Sequence, residues 1–264
     1  MLFLMSDILN PKIIYEDPNV LVINKPAGLN VHGDGFKEEK TLADWLLARY
    51  PDKKGEVGLA PRSFSEVGES MLSQKGEEIK KPGIVHRLDK DTSGVMAIAK
   101  NQDTFLFLKE QFQNHTVRKS YRAIVAGRIN FSPEEMSRTI SLPIGRSRTD
   151  ARLRVARGNA ESKLREAVTI YKVLANFGKD FTYIEAYPQT GRTHQLRAHF
   201  KAIGHPIICD KLYYPEGLCP VTLDRQALHS FSLELSLPKI GKKRFEAPVP
   251  ADLQKTLENI KSSC

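Results

Sequence analysis

The sequence predicts an α+β fold, and three observations predict it. Short runs rich in β-branched and aromatic residues alternate with amphipathic segments of helical period. The two kinds are mixed without the regular strand–helix–strand beat of a doubly wound sheet. At 264 residues the chain suits one large domain or two small ones, at a prior of about 150 residues per domain.

Ile13-Ile14-Tyr15 and Val20-Leu21-Val22-Ile23 read as a strand, a turn over Glu16-Asp17-Pro18-Asn19, and a buried strand. Lys25-Pro26-Ala27-Gly28 then punctuates the chain. Thr41 is placed to cap a short helix with Leu42, Trp45 and Leu46 on one face. The polar stretch from Pro51 to Gly83 reads as a long, partly mobile loop or insertion. Val95 to Ala99 is a buried strand, and Asp103 can cap a helix carrying Phe105, Leu108 and Phe112. Strands are expected from Tyr121 to Gly127, over 166–174 and over 181–187, where Phe181, Tyr183, Glu185 and Tyr187 share one side. A helix runs from about Thr193 to Ile203, with Leu196, Phe200 and Ile203 as its buried stripe. Short strands near 206–209 and 228–237 precede a last helix from Ala251 to Cys264.

Composition narrows the partners. Lys plus Arg is 40 against 31 Asp plus Glu, a formal charge of +9, and the sequence pI is about 9.4. That balance favours an acidic partner, nucleic acid being the commonest, although a merely basic protein has the same composition. The odd number of cysteines, Cys209, Cys219 and Cys264, suggests neither a disulfide framework nor a Cys-x-x-Cys metal site, and fits a reducing cytosol. The opening Met1-Leu-Phe-Leu-Met5 is too short for a signal peptide, and no apolar run approaches the roughly 20 residues of a membrane span.

Three segments could carry chemistry. In His86-Arg87-Leu88-Asp89, an extended backbone would put Arg87 and Asp89 on one side and His86 and Leu88 on the other. A guanidinium beside a carboxylate keeps it ionised, and an ionised, held carboxylate can act as a nucleophile. The same pair could simply brace a loop. The second segment, Gly191-Arg192-Thr193-His194-Gln195-Leu196-Arg197-Ala198-His199, opens a helix whose N–H groups suit a phosphate, or else presents a solvated polar face. His194 and His199, five apart, do not chelate one metal as an i, i+4 pair does. The third is basic: Arg146, Arg148, Arg152, Arg154, Arg157, Lys163 and Arg165, opposed within it by Asp150 and Glu161. Pro143, Gly145 and Gly158 suggest a projecting loop or long hairpin, which either tracks a phosphate backbone or is solvated surface. Glycine-rich nucleotide loops, a nucleophile elbow around Ser93 and the zinc-deaminase pattern are all missing from the sequence.

These residues resemble the RluA family of RNA pseudouridine synthases. His86-Arg87-Leu88-Asp89 with Thr92-Ser93-Gly94 is similar to its catalytic motif, and Lys119-Ser120-Tyr121-Arg122-Ala123 to the motif with the active-site tyrosine. The 191–199 segment is similar to its third motif. Lys25-Pro26-Ala27-Gly28, Gly204-His205-Pro206-Ile207 with Asp210 and Tyr213, and Gln226-Ala227-Leu228-His229-Ser230 match further blocks in the family's order. The resemblance runs from about Ile13 to Pro250.

The resemblance implies a mixed, largely antiparallel sheet in two halves with RNA in a central cleft. Asp89 would attack the target nucleotide at C6 of the uracil or C1′ of the ribose. The uracil would detach, turn and rejoin through C5, and Tyr121 would help remove the C5 proton. Arg197 would pair with Asp89, Arg87 would hold the target base out of its stack, and Leu196 would line the pocket. His86, Thr92, Arg192 and Gln195 would complete the substrate site, and Arg146, Arg148, Arg152 and Arg154 would grip the RNA backbone. The expected partner is structured ribosomal or transfer RNA, with no cofactor, metal or membrane, for a cytoplasmic monomer. The expected organisation is an N-terminal extension over 1–11, a catalytic domain over 12–250 and a C-terminal helix or tail over 251–264. The first family block starts near residue 12, so the S4-type RNA-binding module of many relatives is expected to be absent. Their Gly-Lys-x-Ala/Ser-x-Thr stretch is blurred into Gly158-Asn159-Ala160-Glu161-Ser162. The rival readings are a catalytically idle RNA-binding module, indifferent to Asp89, and another nucleic-acid enzyme, either a glycosylase or a metal-dependent nuclease built on Asp89, Asp91 and Asp210.

Overall fold

The computed structural model of the chain describes residues 10–33, 39–50, 83–132, 135–156, 163–220 and 222–263. The expected loop after Pro51, most of the N-terminal extension, Arg157 and the blurred 158–162 stretch lie outside the described residues. The chain forms two compact units, Met1–Val117 with Glu234–Glu246, and Arg118–Leu233 with Ala247–Cys264.

In the first unit β1 (Lys12–Glu16) pairs antiparallel with β2 (Val20–Lys25). Asp17 closes their turn, its Oδ1 accepting the Asn19 and Val20 amides at 2.7 and 2.6 Å. β2 pairs in turn with β3 (Ser93–Ala99), from Val20 opposite Ala99 to Lys25 opposite Gly94. Every residue of β3 is buried, which is why the run is apolar without alternation. Helix α1 (Leu42–Arg49) carries the expected Thr41 cap, completed by Asp44 as a capping box. Helix α2 (Gln102–Gln113) starts earlier than expected: Asn101, not Asp103, is the cap, its side chain accepting the Thr104 amide at 2.9 Å. Either residue type can cap; the extended backbone at Asn101 (φ −149°) decides the position. The end of β10 (Leu228–Leu237) lies beside β3, and β11 (Gly241–Glu246) pairs with β10. Strand β11 was not expected, because Gly-Lys-Lys-Arg-Phe-Glu offers only Phe245 to the core.

In the second unit the order is the start of β10, then β4 (Arg118–Ala126), β9 (Phe181–Pro188), β8 (Val168–Phe177) and β5 (Arg138–Ser141). The pairs β4–β9, β8–β9 and β5–β8 are antiparallel. A separate hairpin joins β6 (Ile144–Arg146) to β7 (Arg154–Ala156), with Arg146 opposite Arg154. Helix α3 (Gln195–Ala202) lays Leu196 and Phe200 in a core with Ala123, Ile124, Val125 and Ile184. Helix α4 (Ala251–Ser262) adds Leu253 and Ile260. The α+β class therefore holds, with a mostly antiparallel sheet.

Two expectations fail between Pro206 and Cys219. No strand forms over 206–209: Ile207 makes one bridge to Val125, and Cys209 then turns the chain at φ +58°. Cys209 and Cys219 form a disulfide, although their number and spacing suggested none. The turn started by Tyr214 N–H to Asp210 O (2.7 Å) folds the intervening segment back until the two Cα atoms are 4.8 Å apart, within bridging reach.

Candidate active site

The 86–92 loop belongs to the first unit and is held from several directions. Leu88 is buried at its centre, Asp89 is half-buried and Arg87 is exposed. The Thr92 amide donates to Asp89 O at 3.1 Å, which makes 89–92 a turn entering β3. Thr92 itself is buried. Lys90 O accepts the Gly28 amide at 3.0 Å and the Lys25 ammonium at 2.9 Å. Lys25 is fully buried and donates as well to Pro26 O and Leu29 O, both at 2.8 Å. The Lys-Pro-Ala-Gly block is thus a clamp beneath the loop that carries Asp89. His86 braces the loop from the other side: its ring stacks on Phe112 at 4.4 Å, and its Nε2 accepts the Ala97 amide at 3.0 Å.

Tyr121, Leu196 and Arg197 belong to the second unit. Tyr121 stands opposite Ala186 in the β4–β9 register and packs against the cluster that contains Leu196. Two residues earlier, on the same side of β4, burial pushes the Lys119 ammonium down to about 8, and its Nζ donates to Thr190 O at 3.2 Å. Gln195 is buried, and all four of its amide positions are used: Oε1 accepts from Thr190 Oγ1 and the Arg192 amide, and Nε2 donates to Val168 O and Thr169 Oγ1. Thr169 Oγ1 also meets His199 Nδ1 at 2.9 Å, and His199 Nε2 lies 2.9 Å from Leu142 O. Gln195 and His199 thereby fasten α3 to β8 and fix its entry. Arg192 is half-buried and bonds Glu166 O through Nε at 3.0 Å.

Arg197 has a partner that sequence reasoning missed. Its Nε and Nη2 donate to Asp210 Oδ2 and Oδ1 at 2.7 and 2.8 Å, with side-chain exposures of 8% and 0%. A planar guanidinium matches a carboxylate in this two-pronged way. Asp210 Oδ1 also accepts the Leu212 and Tyr213 amides, at 3.0 and 2.9 Å. The Tyr213 ring lies 4.8 Å from the guanidinium carbon. An Asp followed three residues later by Tyr was visible in the sequence, but nothing linked it to an arginine thirteen residues upstream.

The described first part of the basic stretch, through Ala156, forms the short β6–β7 hairpin. Arg146, Arg148 and Arg152 are exposed and Arg154 is half-buried. Arg152 forms a forked pair with Asp150, which brings that carboxyl down to about 2. Arg146 and Arg154 brace the tip through Ala151 O. Among the described residues no group of His, Cys, Asp and Glu could hold a metal ion, and no helix is long and apolar enough to cross a membrane.

Known proteins define the class to which this mostly antiparallel α+β fold belongs. Residues 19–202 match the RNA pseudouridylate synthase family. A Synechocystis protein called an uncharacterized RNA pseudouridine synthase is 39% identical over 93% of this chain and 67% of its own length. A Bacillus subtilis protein of the same description is 36% identical over 95% of this chain and 73% of its own. The ribosomal large subunit pseudouridine synthase D of Neisseria meningitidis serogroup B is 36% identical over 94% of this chain, which spans 61% of that relative. The solved structure of human RNA pseudouridylate synthase domain containing 4 superposes with a TM-score of 0.68 at 25% identity, covering 98% of this chain and 96% of the other. The chain belongs to the RNA pseudouridylate synthase family, as its motifs suggested, and is an RNA pseudouridine synthase.

Proposed function

We propose that Asp89 is the nucleophile of this synthase and that the enzyme acts on chosen uridines of structured ribosomal RNA. The observation that carries the reading is the clamp on the Asp89 turn: a fully buried ammonium and the Gly28 amide both hold the carbonyl next to it. So many fixed donors on one turn make sense where a carboxylate must meet a reacting carbon within a few tenths of an ångström. Asp89 attacks C6 of the uracil or C1′ of the ribose, the glycosidic carbon–nitrogen bond breaks, and the uracil turns and bonds through C5. The Asp89–carbon bond breaks to return the carboxylate, Tyr121 helps take the C5 proton and N1 gains one, so that atoms and charge balance with no added reagent. Arg197, set in place by Asp210 and Tyr213, acts as the site's fixed positive charge. Arg87, exposed beside Asp89, takes the place of the extruded base. Leu196 and Thr92 shape the pocket, while His86, Gln195 and Arg192 act by holding the loop and the α3 entry. Arg146, Arg148, Arg152 and Arg154 offset the cost of extrusion through phosphate contacts. Residues 12–250 form the catalytic region of a cytoplasmic, monomeric enzyme.

The name of the Neisseria relative favours large-subunit ribosomal RNA over transfer RNA. Asp89→Asn should abolish pseudouridine formation and leave RNA affinity within a few-fold, because phosphate contacts dominate binding. Nucleoside mass spectrometry on RNA from cells with the wild-type or the variant gene decides it. Undiminished pseudouridine in the variant would sink the nucleophile assignment, and mapping the lost sites identifies the RNA.

A further inference from the structure

The Tyr213 side chain stands at a junction that the chemistry above does not use. Its ring underlies the Arg197 guanidinium at 4.8 Å. Its hydroxyl accepts the Arg154 amide of the basic hairpin at 2.8 Å. The same hydroxyl lies 3.1 Å from Nδ1 of His194, the left-handed residue (φ +54°) that opens α3. A hydroxyl has one proton and two lone pairs, so it can accept from Arg154 and donate to His194 at once. The hairpin is packed here as well as bonded: buried Ile144, Ala198 and Tyr213 form one cluster, with Leu153 and Ala156 against it. Tyr213 also belongs to the turn whose amides cap Asp210, the other anchor of Arg197. One short segment thus grips the guanidinium from two sides and touches the hairpin with the same side chain.

We propose that Tyr213 is a positioning residue that couples the hairpin's grip on RNA to the setting of Arg197, so that chemistry runs fastest when the hairpin is engaged. The proposal rests on the reading of 146–154 as an RNA-backbone contact. Close-packed interiors transmit small displacements instead of absorbing them. A phosphate drawing on Arg148 or Arg152 therefore moves β7, and the Arg154 amide carries the shift to the phenol beneath Arg197. Misplaced RNA that leaves the tip empty would find Arg197 less well set, which makes the coupling a specificity device.

A double-mutant cycle tests it, with single-turnover rates at saturating RNA and affinities measured separately. Tyr213→Phe removes only the hydroxyl. It should lower the saturated rate about tenfold, a cost typical of a slightly misplaced catalytic group, with the dissociation constant within about twofold. The Arg148→Ala, Arg152→Ala pair should weaken affinity about tenfold or more and also slow the saturated rate. Combining all three should bring the rate no lower than Tyr213→Phe alone, while affinity stays at the level of the hairpin pair. An unchanged rate in Tyr213→Phe, or rate losses that simply multiply, overturns the coupling and leaves the RNA contact standing. Unchanged affinity in the hairpin pair overturns the contact and the coupling together. Should Tyr213→Phe fail to fold, replacing the Arg154 backbone amide by an ester removes the donor to the hydroxyl instead, and the same cycle decides by the same outcomes.

Discussion

At the residue scale, the buried histidines tie stability to pH. His229 is fully buried, with Nε2 3.1 Å from Ala247 O, and burial pushes it down to about 4. His199 is shifted in the same direction for the same reason. A histidine depressed in the fold binds its proton first in the unfolded chain, whose value is about 6.5. Between pH 6.5 and 4 the unfolded state therefore holds more protons, and stability falls as the pH falls. Above pH 6.5 both states are neutral and the contribution is complete. From pH 7.5 to pH 5, His229 should cost about 2 kcal/mol of unfolding free energy. His229→Gln keeps a donor for Ala247 O and cannot titrate in this range. Denaturant unfolding at the two pH values should show the acid-induced loss shrinking by about that amount in the variant; an equal loss in both proteins removes His229 from the account. The residue scale is also where the candidate site was most legible. Asp89, Tyr121 and Arg197 stand in short motifs that single them out as candidates. The Arg197–Asp210 pair was hidden, because it forms only once Cys209 turns the chain.

At the scale of elements, period served for long or fully buried segments and failed for short ones. β8 and β9 were legible from partial alternation, β3 from its wholly apolar run, and α3 from the helical spacing of Leu196, Phe200 and Ile203. β5, β6 and β7 hold only four, three and three residues, too few to show an alternation. β11 is mostly charged and exists because its neighbour supplies the hydrogen bonds. The β6–β7 hairpin is the element whose charge makes a prediction. Arg152 is 78% exposed and already paired with Asp150. An exposed pair of this kind is worth about 1 kcal/mol at most, so a phosphate can replace the carboxylate at little cost. Each phosphate neutralised releases counterions, and the logarithm of affinity falls with the logarithm of salt by about one unit of slope per phosphate. Replacing Arg148, Arg152 and Arg154 by Ala should flatten that slope by about one unit for each arginine that holds a phosphate in the wild-type complex. A filter-binding series in salt measures it, and an unaltered slope takes the hairpin off the RNA-binding surface.

At the scale of the whole molecule, +9 of net charge and a motif order spanning nearly the whole chain made the RNA enzyme legible. The cysteines misled, since spacing along a sequence says nothing about which turns bring two thiols together. The Cys209–Cys219 bond closes a loop with a separation of ten residues. It acts mainly on the unfolded chain, whose freedom it reduces, and a loop of that length is worth about 2–3 kcal/mol to the whole fold. Cys219 is exposed, so a thiol reductant can reach the bond, whereas Cys209 is buried beside Asp210. Once reduced, the Cys219 Sγ has a partner ready, since Leu223 O lies 3.1 Å away and a thiol can donate where a disulfide sulfur cannot. Reduction should therefore loosen the molecule while leaving the Cys219 thiol an acceptor. The expected outcome is a drop of about 2–3 kcal/mol in unfolding free energy on adding dithiothreitol. Cys219→Ser should reproduce the drop and show no further response to the reductant. Equal stability of oxidised, reduced and Cys219→Ser protein would mean that the native Asp210–Gly217 turn persists in the unfolded ensemble and leaves the bridge no entropy to remove.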